Sequence, residues 1–512
     1  MPAPVELIRH RDFTGGLNLR ADQFQLGENE SPDMLNMDVD PRGGVRQRAG
    51  VSFWRLPPAV PAKLAQWRSE TGEERIWIAD SAGNAWVSVP AGGYLQVATS
   101  IVAYTAAVQF KGNLLMQNGS SAPRRWNGTA VAALTQNWAN DFAVPGSGNM
   151  PIAKRMAVHH GHMWLADTLE STVRYQDRLR FSHPSTAEAW RTLDWIDLDP
   201  GANGEPIVEL IPYQDHLLAF KNNAIYAIFG FGWDSWSKQN VSREVGCVTP
   251  GAAVATPVGV FFFDWPNGVM LWDGKGVSWQ FSRLAPALRD GTILASRRDQ
   301  IRMGWADNRL WVSVPWGATG WRILVLDPSL GKDGAWVMYD LSIGQVMEYE
   351  TLGGTLFVGA SRASAAVYQV AQQGQYSDEF TTGVYNSIKS HYRTRWFDAE
   401  LDAMKKRWRR LWTTFWGDGA GKIQVDLFKN FDNAQLAKSW TEDVLDQVSN
   451  PLWDAVGQNY DGAAVWGMEG THHEIERGVT LGSAHAVQLH FKGPANLSAW
   501  GIDSITMPYS KR

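Results

Sequence analysis

The feature that most constrains the fold is a loose recurrence of paired, short apolar runs between residues 62 and 371. Each unit has one apolar run, a turn with Gly, Asn or Asp, and a second run that often contains an aromatic residue. A spacing of about 40 residues is typical of β-propeller blades, because a single small sheet cannot bury both of its faces alone. Seven candidate hairpins occur, at 75–80 with 83–87, 114–119 with 123–126, 162–167 with 178–182, 216–220 with 224–228, 260–264 with 268–272, 309–314 with 323–327, and 355–359 with 366–370.

The recurrence predicts an all-β chain with a β-propeller at residues 61–371. Because the repeats drift, six to eight blades fit, with seven favoured, and an array of β-sandwiches is the alternative. The 49 Gly and 24 Pro indicate many short elements joined by turns. The 27 Trp, 20 Phe and 13 Tyr suit the pleated surfaces of sheets.

The two ends of the chain lack the recurrence. Residues 1–60 are polar and broken by Pro and Gly, so we expect an extended N-terminal arm that lies across another element or is ordered by a partner. Residues 372–512 carry further strand-like runs and predict a β-sandwich-like domain that forms a tube or an interface. Within it, the polar stretch 432–476 is interpreted as a long excursion or an insertion.

Composition and the start of the chain exclude several classes of protein. The single cysteine, Cys247, excludes an intramolecular disulfide framework and a cysteine-based zinc site, and its apolar neighbours predict a small buried residue. No basic segment leads into an apolar run near Met1, and no apolar stretch reaches about 18 residues, so neither a signal peptide nor a transmembrane helix is expected. A net charge of −5 argues against a protein that coats nucleic acid.

No catalytic constellation stands out, so we expect no enzyme activity, no cofactor and no metal. The histidines of 159–162 lack a nearby Cys or Glu that would complete a metal site, and 472–474 lack the spacing of a zinc helix. Asp194, Asp197 and Asp199 alternate with apolar residues, which favours a strand or loop edge over an acid–base pair.

The strongest charge feature is a basic run, for which two interpretations remain. It consists of Lys405, Lys406, Arg407, Trp408, Arg409 and Arg410. Cations interleaved with a tryptophan can contact phosphates and stack on bases, which would make this a DNA contact. The alternative, favoured by the negative net charge, is an exposed edge strand whose cations block aggregation or pair with an acidic neighbouring subunit.

Several segments resemble one family of tailed-bacteriophage virion proteins, the β-propeller tail proteins similar to the tail nozzle (tail tubular protein B, or packaged-DNA stabilisation protein) of short-tailed phages. The segments that carry the resemblance are 13–18, 29–38 and 43–50 in the arm, 180–184, 245–250 and 271–274 in the propeller region, and 391–398 and 406–411 at the start of the last domain. The family supplies no catalytic residues to transfer.

The resemblance implies an architectural function. In such nozzles several copies, typically a hexamer, form a ring that encloses the DNA exit channel and retains, then releases, the packaged double-stranded DNA. Implied partners are sister copies, tail adaptor or portal-side proteins, tail fibre, spike or needle proteins, and the host envelope. The implied location is the virion tail, assembled in the host cytoplasm.

A ring of copies also implies particular contacts and charges. The arm would be ordered on a neighbour through Phe13, Gly15, Gly16, Leu17, Pro32 and Leu35. Exposed tryptophans would anchor the interface between copies. An acidic channel wall would keep phosphates from sticking during ejection, whereas a wall lined by Lys405 to Arg410 would favour gripping of DNA.

Two other functions remain open from the sequence. One is a propeller with Trp-lined pockets that binds host-surface sugar, since aromatic faces stack on sugar rings. The other is a propeller glycosidase or sialidase. The 333–336 segment faintly resembles a sialidase Asp-box, but no repeated box and no arginine triad support that activity.

Overall fold

The structure is a computed structural model, and its contacts divide the chain into two compact units. One, the propeller unit, comprises Phe53–Arg322 and Ser342–Val370, and the other, the sandwich unit, comprises Met1–Ser52, Ile323–Leu341 and Ala371–Arg512. The residues described are 5–20, 25–90, 92–100, 102–134, 137–139, 151–170, 172–184, 186–199, 205–232, 234–330, 334–361, 366–372, 375–400, 403–417, 421–443, 471–477, 481–494 and 499–511.

The leader of the chain forms short strands. They are β1 (Glu6–His10), β2 (Gly16–Leu17), β3 (Glu30–Ser31), β4 (Asp33–Leu35), β5 (Met37–Val39), β6 (Val45–Gln47) and β7 (Gly50–Arg55).

Strands in the middle of the chain group mostly into four-stranded antiparallel sheets. In chain order they are β8 (Pro61–Arg68), β9 (Glu74–Asp80), β10 (Asn84–Ser88) and β11 (Tyr94–Thr99); β12 (Ala106–Phe110), β13 (Asn113–Gln117), β14 (Arg124–Trp126) and β15 (Val131–Ala133); β16 (Asn137–Ala139), which pairs with β20; β17 (Ile152–His159), β18 (His162–Glu170), β19 (Val173–Phe181), β20 (Ala189–Arg191) and β21 (Trp195–Asp197); β22 (Glu209–Tyr213), β23 (His216–Phe220), β24 (Ile225–Phe229) and β25 (Ser237–Ser242); β26 (Ala253–Thr256), β27 (Gly259–Asp264), β28 (Gly268–Trp272) and β29 (Val277–Trp279).

The remaining elements of this region include two short helices. They are helix α1 (Ala285–Arg289) and a 3-10 helix (Ala295–Gln300), then β30 (Arg302–Ala306), β31 (Arg309–Trp316), β32 (Gly320–Asp327), β33 (Ala335–Tyr339), β34 (Val346–Leu352), β35 (Thr355–Ala360) and β36 (Ala366–Gln372). In the described part of the chain, no helix is long and apolar enough to cross a membrane.

The strands form a ring of seven blades, as the sequence predicted, and the contacts assign β33 and most of β32, from the sixth blade, to the sandwich unit. The first strand of each blade, which precedes the predicted hairpin, contacts the first strand of the next blade, in the order β8, β12, β17, β22, β26, β30, β34 and back to β8. Buried clusters fill the spaces between blades. Between the first two blades, for example, the rings of Trp67 and Trp126 have centroids 4.5 Å apart. Neighbouring blades therefore cover the apolar side chains of each blade, as expected for repeated small sheets that cannot bury both faces alone.

The last blade takes its outermost strand from the leader. Its order is β34-β35-β36-β7, so a strand that precedes the first blade in sequence completes the last one. Trp54 on β7 packs edge-on against Phe357, with centroids 4.9 Å apart. The pairing of β7 with β36 closes the ring of blades through backbone hydrogen bonds.

The sandwich unit contains most of the other strands. They are β37 (Ser377–Thr381), β38 (Val384–Ser387), β39 (His391–Arg393), β40 (Lys406–Trp408), β41 (Leu411–Gly417), β42 (Lys422–Lys429), β43 (Asp432–Asp443), β44 (Thr471–Arg477), β45 (Gly482–Ala484), β46 (Val487–Lys492) and β47 (Trp500–Lys511). One sheet has the order β4-β39-β46-β42-β43, and the other has β44-β41-β47-β40-β45, with β1 and β6 also paired to β47. Phe415 and Phe491, one from each sheet, meet with ring centroids 6.0 Å apart.

Both sheets of the sandwich take strands from the leader. β4 pairs with β39, and β1 pairs with β47 over five residues. The leader is extended and lies along other strands of its own chain, one of the two arrangements predicted, and Phe13, Leu17 and Met34 have no exposed surface there. The predicted boundaries 1–60, 61–371 and 372–512 follow sequence order, whereas the contacts place the first 52 residues with the C-terminal strands.

Candidate functional site

Part of the basic run, Lys406–Trp408, forms strand β40, which lies between two other strands of a sheet. β40 pairs with β47 on one side and β45 on the other, so the prediction of an edge strand is wrong. Lys406 is fully buried and its Nζ donates a hydrogen bond to the carbonyl of His485 at 2.8 Å. Trp408 is also fully buried, and its Nε1 donates to the carbonyl of Ala484 at 3.1 Å. Strand alternation therefore directs these two side chains inward.

The other cations of the run remain on the surface. Lys405, Arg407, Arg409 and Arg410 are exposed. Arg407 lies opposite Ser510 of β47, and residues directly opposite one another share a sheet face. Of the predicted set, Lys405, Arg407 and Arg409 can reach a phosphate or an acidic neighbour from the surface, whereas the buried Lys406 and Trp408 cannot.

The same sheet face carries a second arginine from the leader. Arg9 of β1, which is exposed, lies opposite Thr506, and Thr506 lies opposite Trp412 of β41. We call the face that bears Arg9, Arg407, Trp412 and Thr506 the outer face. Sequence reasoning missed Arg9, because its strand partner is hundreds of residues away.

The predicted arm-interface residues mostly face inward. Phe13 and Leu17 have no exposed surface, and Gly15 and Gly16 are buried as well. Pro32 and Leu35 are partly exposed, and their contact with a neighbouring copy stays a prediction. The buried residues pack within one chain because β1 and β4 of the leader pair with the sandwich sheets, and β2, which holds Gly16 and Leu17, pairs with β33.

A histidine–aspartate cluster that the sequence did not predict lies on three adjacent strands of the sandwich. Asp33 of β4, Arg393 of β39 and His490 of β46 stand in register, and His391 is two residues before Arg393 on the same face. His391 Nε2 lies 2.9 Å from Asp33 Oδ1, and the rings of His391 and His490 are perpendicular, with centroids 5.1 Å apart. One ligand atom of each of Asp33, His391 and His490 lies within 4.8 Å of the others.

The electrostatics of this cluster follow from its burial and from Arg393. The Nη2 atom of Arg393 lies 3.4 Å from His490 Nδ1 and 3.6 Å from Asp33 Oδ2. Burial and then the positive charge of Arg393 lower the pKa of His490 to about 3, so its ring is neutral. Burial opposes ionisation of Asp33, but the hydrogen bond with His391 and the neighbouring positive charges outweigh it, and the pKa of Asp33 lies below its ordinary value.

The histidines of 159–162 form an aromatic cluster. The rings of His159 and His160 have centroids 4.1 Å apart, and the ring of His160 stacks on Trp236 at 6.2 Å. His162 Nδ1 lies 2.6 Å from the carbonyl oxygen of Ser182. Burial lowers the pKa of His159 to about 4. The side chains of 472–474 and residue 333 lie outside what the structure describes.

Other polar candidates from the sequence have structural partners. Asp194 pairs with Arg191 at 2.6 Å, and Asp197 pairs with Arg178 at 2.8 Å. Such charge pairs agree with the prediction that these carboxylates are structural.

The single cysteine is buried, as predicted. Cys247 has no exposed surface, and its Sγ donates a hydrogen bond to the carbonyl of Thr249 at 3.1 Å. Burial raises the pKa of this thiol, so it stays protonated.

The tryptophans serve mainly the interior. Among those whose side chains the structure describes, Trp195 and Trp279 are the exposed ones, at 39% and 41%. The high tryptophan content is thus explained by blade and sheet packing, and it supports neither a tryptophan-rich interface nor Trp-lined sugar pockets.

Comparison with known proteins gives distant similarity of structure alone. No protein-family model matches the sequence, and no curated protein matches it. Among solved structures, the chain is similar to the computationally designed Ika8 protein (11% identity, 63% of this chain and 100% of that chain, TM-score 0.38), to BBS1N from its complex with ARL6DN (11%, 64% and 97%, 0.41) and to BamB from Moraxella catarrhalis (10%, 66% and 96%, 0.38). Similarity this distant says nothing about function. The propeller fold is assigned from the contacts between the first strands of successive blades, which form a closed ring.

Proposed function

We propose that this chain is a structural subunit of the tail of a tailed bacteriophage. Copies of it form a ring, with a hexamer as the expected number, that encloses the DNA exit channel and retains, then releases, the packaged DNA. Two things support the proposal: the resemblance of the leader and later segments to nozzle proteins, and a long, exposed strand, β43, on the sandwich unit.

The exposed strand β43 is the observation that carries the proposal. β43 runs for 12 residues and pairs with β42. Residues 432–439 are exposed, and Leu436 has half of its surface in contact with solvent. A long exposed strand is a surface on which another chain can dock, and soluble monomers usually protect such strands with charges or proline. β43 has no proline, and its charged residues, Asp432, Lys438, Glu442 and Asp443, leave residues 433–437 uncharged.

A neighbouring copy can dock on this exposed strand. A head-to-tail contact of that kind closes into a ring when its rotation divides the full circle, whereas a two-fold contact stops at a dimer. In this proposal, the polar stretch 432–476, which begins with β43, joins one subunit to the next.

The charge of the channel wall remains a separate prediction. We expect acidic groups to outnumber basic ones there, in line with the net charge of −5. Arg407 of the outer face, and the exposed Lys405 and Arg409 on either side of β40, would then contact an acidic neighbour. If a ring reconstruction instead placed them on the lumen, gripping of DNA phosphates would be favoured over passive passage.

The purified chain and purified virions test the proposal together. Mass photometry and cryo-EM of the chain should show closed rings, and mass spectrometry should find the chain in virions in a multiple of the ring number. A chain that stays monomeric at micromolar concentration and is missing from virions would overturn the proposal. Retention of that monomer on host envelope polysaccharide would favour sugar binding.

A further inference from the structure

The histidine–aspartate cluster of the sandwich unit has the geometry of a metal site. Its members come from three strands that are neighbours in one sheet, so the backbone holds them in fixed relation. Asp33 and His391 are 358 residues apart in sequence, which is why local spacing predicted no metal.

The donor set suits a divalent transition-metal ion. Two imidazole nitrogens and one carboxylate oxygen are the ligand types that Zn²⁺, Co²⁺ and related ions prefer, and three protein ligands leave room for water. The three ligand atoms lie within 4.8 Å of one another, close enough for one ion to bridge them after small side-chain adjustments. His490 Nε2 is buried and has no hydrogen-bond partner, an arrangement that native interiors usually avoid.

Arg393 is the feature that opposes a cation. Its guanidinium lies within 3.6 Å of both Asp33 and His490, and a positive charge there repels a metal ion. The guanidinium also lies over the ring of Phe428, 5.6 Å from the centroid, so an alternative partner is close when the side chain turns away. The site is therefore weaker than the same three ligands would be without Arg393.

We propose that Asp33, His391 and His490 bind one divalent transition-metal ion. The bound ion links leader strand β4 to β39 and β46, and so fastens the start of the chain to the sandwich. Because the ion binds the folded sandwich and not the separated strands, it raises the stability of that unit as metal concentration rises.

Titration with Co²⁺ tests this on the full-length chain after treatment with a chelator. We expect one equivalent of Co²⁺ to bind with a visible d–d absorption band, and Zn²⁺ to displace it. His391→Ala and His490→Ala should each weaken binding at least about tenfold. His485→Ala, which removes a histidine close in sequence to His490 but outside the cluster, should bind like the unaltered chain.

A gain-of-function variant separates metal binding from folding effects. Arg393→Met removes the opposing charge and should tighten Co²⁺ binding about tenfold or more, a result that an unfolded variant cannot give. If the unaltered chain and Arg393→Met bind no Co²⁺, or if both histidine variants bind it as tightly as the unaltered chain, the cluster is a hydrogen-bonded ion pair only and the proposal is overturned.

Discussion

Arg48 and Asp378, which are 330 residues apart in sequence, form a bidentate ion pair inside the sandwich unit. Arg48 Nη1 lies 2.8 Å from Asp378 Oδ1, and Arg48 Nη2 lies 2.7 Å from Oδ2. The side chains are 1% and 6% exposed, and Asp378 also accepts a hydrogen bond from the backbone of Val51. The pair links the end of the leader to β37. Loss of either partner leaves the other charge buried without a counter-ion.

Breaking this pair should therefore destabilise the sandwich unit strongly. Arg48→Met leaves a buried carboxylate without its cation, and we expect the free energy of unfolding to fall by about 3–5 kcal/mol. Urea unfolding followed by tryptophan fluorescence measures the change. The control is Glu28→Gln, which breaks the exposed pair of Glu28 with Arg395 and should cost less than about 1 kcal/mol. Equal costs would show that burial does not set the strength of the Arg48 pair.

Gly16 should tolerate no side chain. Its φ is +67°, and a Cβ there would lie 2.5 Å from the carbonyl oxygen of Trp336. Gly16→Ala adds a backbone strain of about 1–3 kcal/mol to a steric clash, so the melting temperature of the sandwich unit should fall. Gly72 has a similar φ of +88°, but a Cβ there would meet no other atom within 4 Å. Gly72→Ala therefore measures the backbone strain alone. Gly16→Ala should be the more damaging of the two, and the reverse order would contradict the clash.

The propeller could be predicted from sequence because its signals are local. Each hairpin joins strands that are close in sequence, as in Phe262 opposite Met270 across one turn. Alternating apolar runs and a turn residue are enough to mark such a pair. The closing strand β7 could not be recognised in this way, because its partner β36 begins more than 300 residues later.

The candidate site was harder to predict for the same reason. The cations of 405–410 were found as a run, but their strand was assigned to an edge because β45 and β47 are distant in sequence. The cluster of Asp33, His391 and His490 has no local signature at all. Its one sequence signal is the position of two histidines on strand-like runs, which without pairing information is indistinguishable from ordinary core histidines.

Acid should weaken the sandwich unit through His10. Burial, aided by the charge of Arg395, lowers the pKa of His10 from 6.5 to about 4, and its ring packs on Phe13 at 4.3 Å. Above pH 6.5 the ring is neutral in both states. Between about 6.5 and 4 the unfolded chain takes up a proton that the folded chain does not, so stability falls as pH falls.

His10→Phe should reduce this loss, because phenylalanine suits the apolar surroundings and does not titrate. Unfolding free energies near pH 7 and pH 4.5 would be compared for the two chains by urea titration. The drop between the two pH values should be smaller in the variant, and an equal drop would mean that His10 is not the group involved.

Glu350 should give the stability of the propeller unit a pH dependence of the opposite sign. Burial and the nearby Glu348 raise the pKa of Glu350 from 4.5 to about 7, although Lys63 counteracts this. The folded chain therefore holds a proton between about 4.5 and 7 that the unfolded chain releases, and this contribution to stability is lost as pH rises through that window. Glu350→Gln mimics the protonated form. Relative to the unaltered chain, it should gain stability steadily from pH 4.5 to pH 7, and a gain independent of pH would contradict the raised pKa.

Placing a charge on the exposed strand β43 should weaken ring assembly without lowering the stability of the subunit. Leu436 is 50% exposed on this strand, and a lysine there opposes the approach of a second strand, as charged residues do on natural sheet edges. We expect Leu436→Lys to lower the fraction of rings in mass photometry while the melting temperature of the monomer stays unchanged. Leu193→Lys is the matched control, because Leu193 is 82% exposed and belongs to the propeller unit instead of β43. If both variants assemble as the unaltered chain does, β43 is not the joining strand. If both lose rings equally, the effect is one of overall charge, because the two substitutions change the net charge alike.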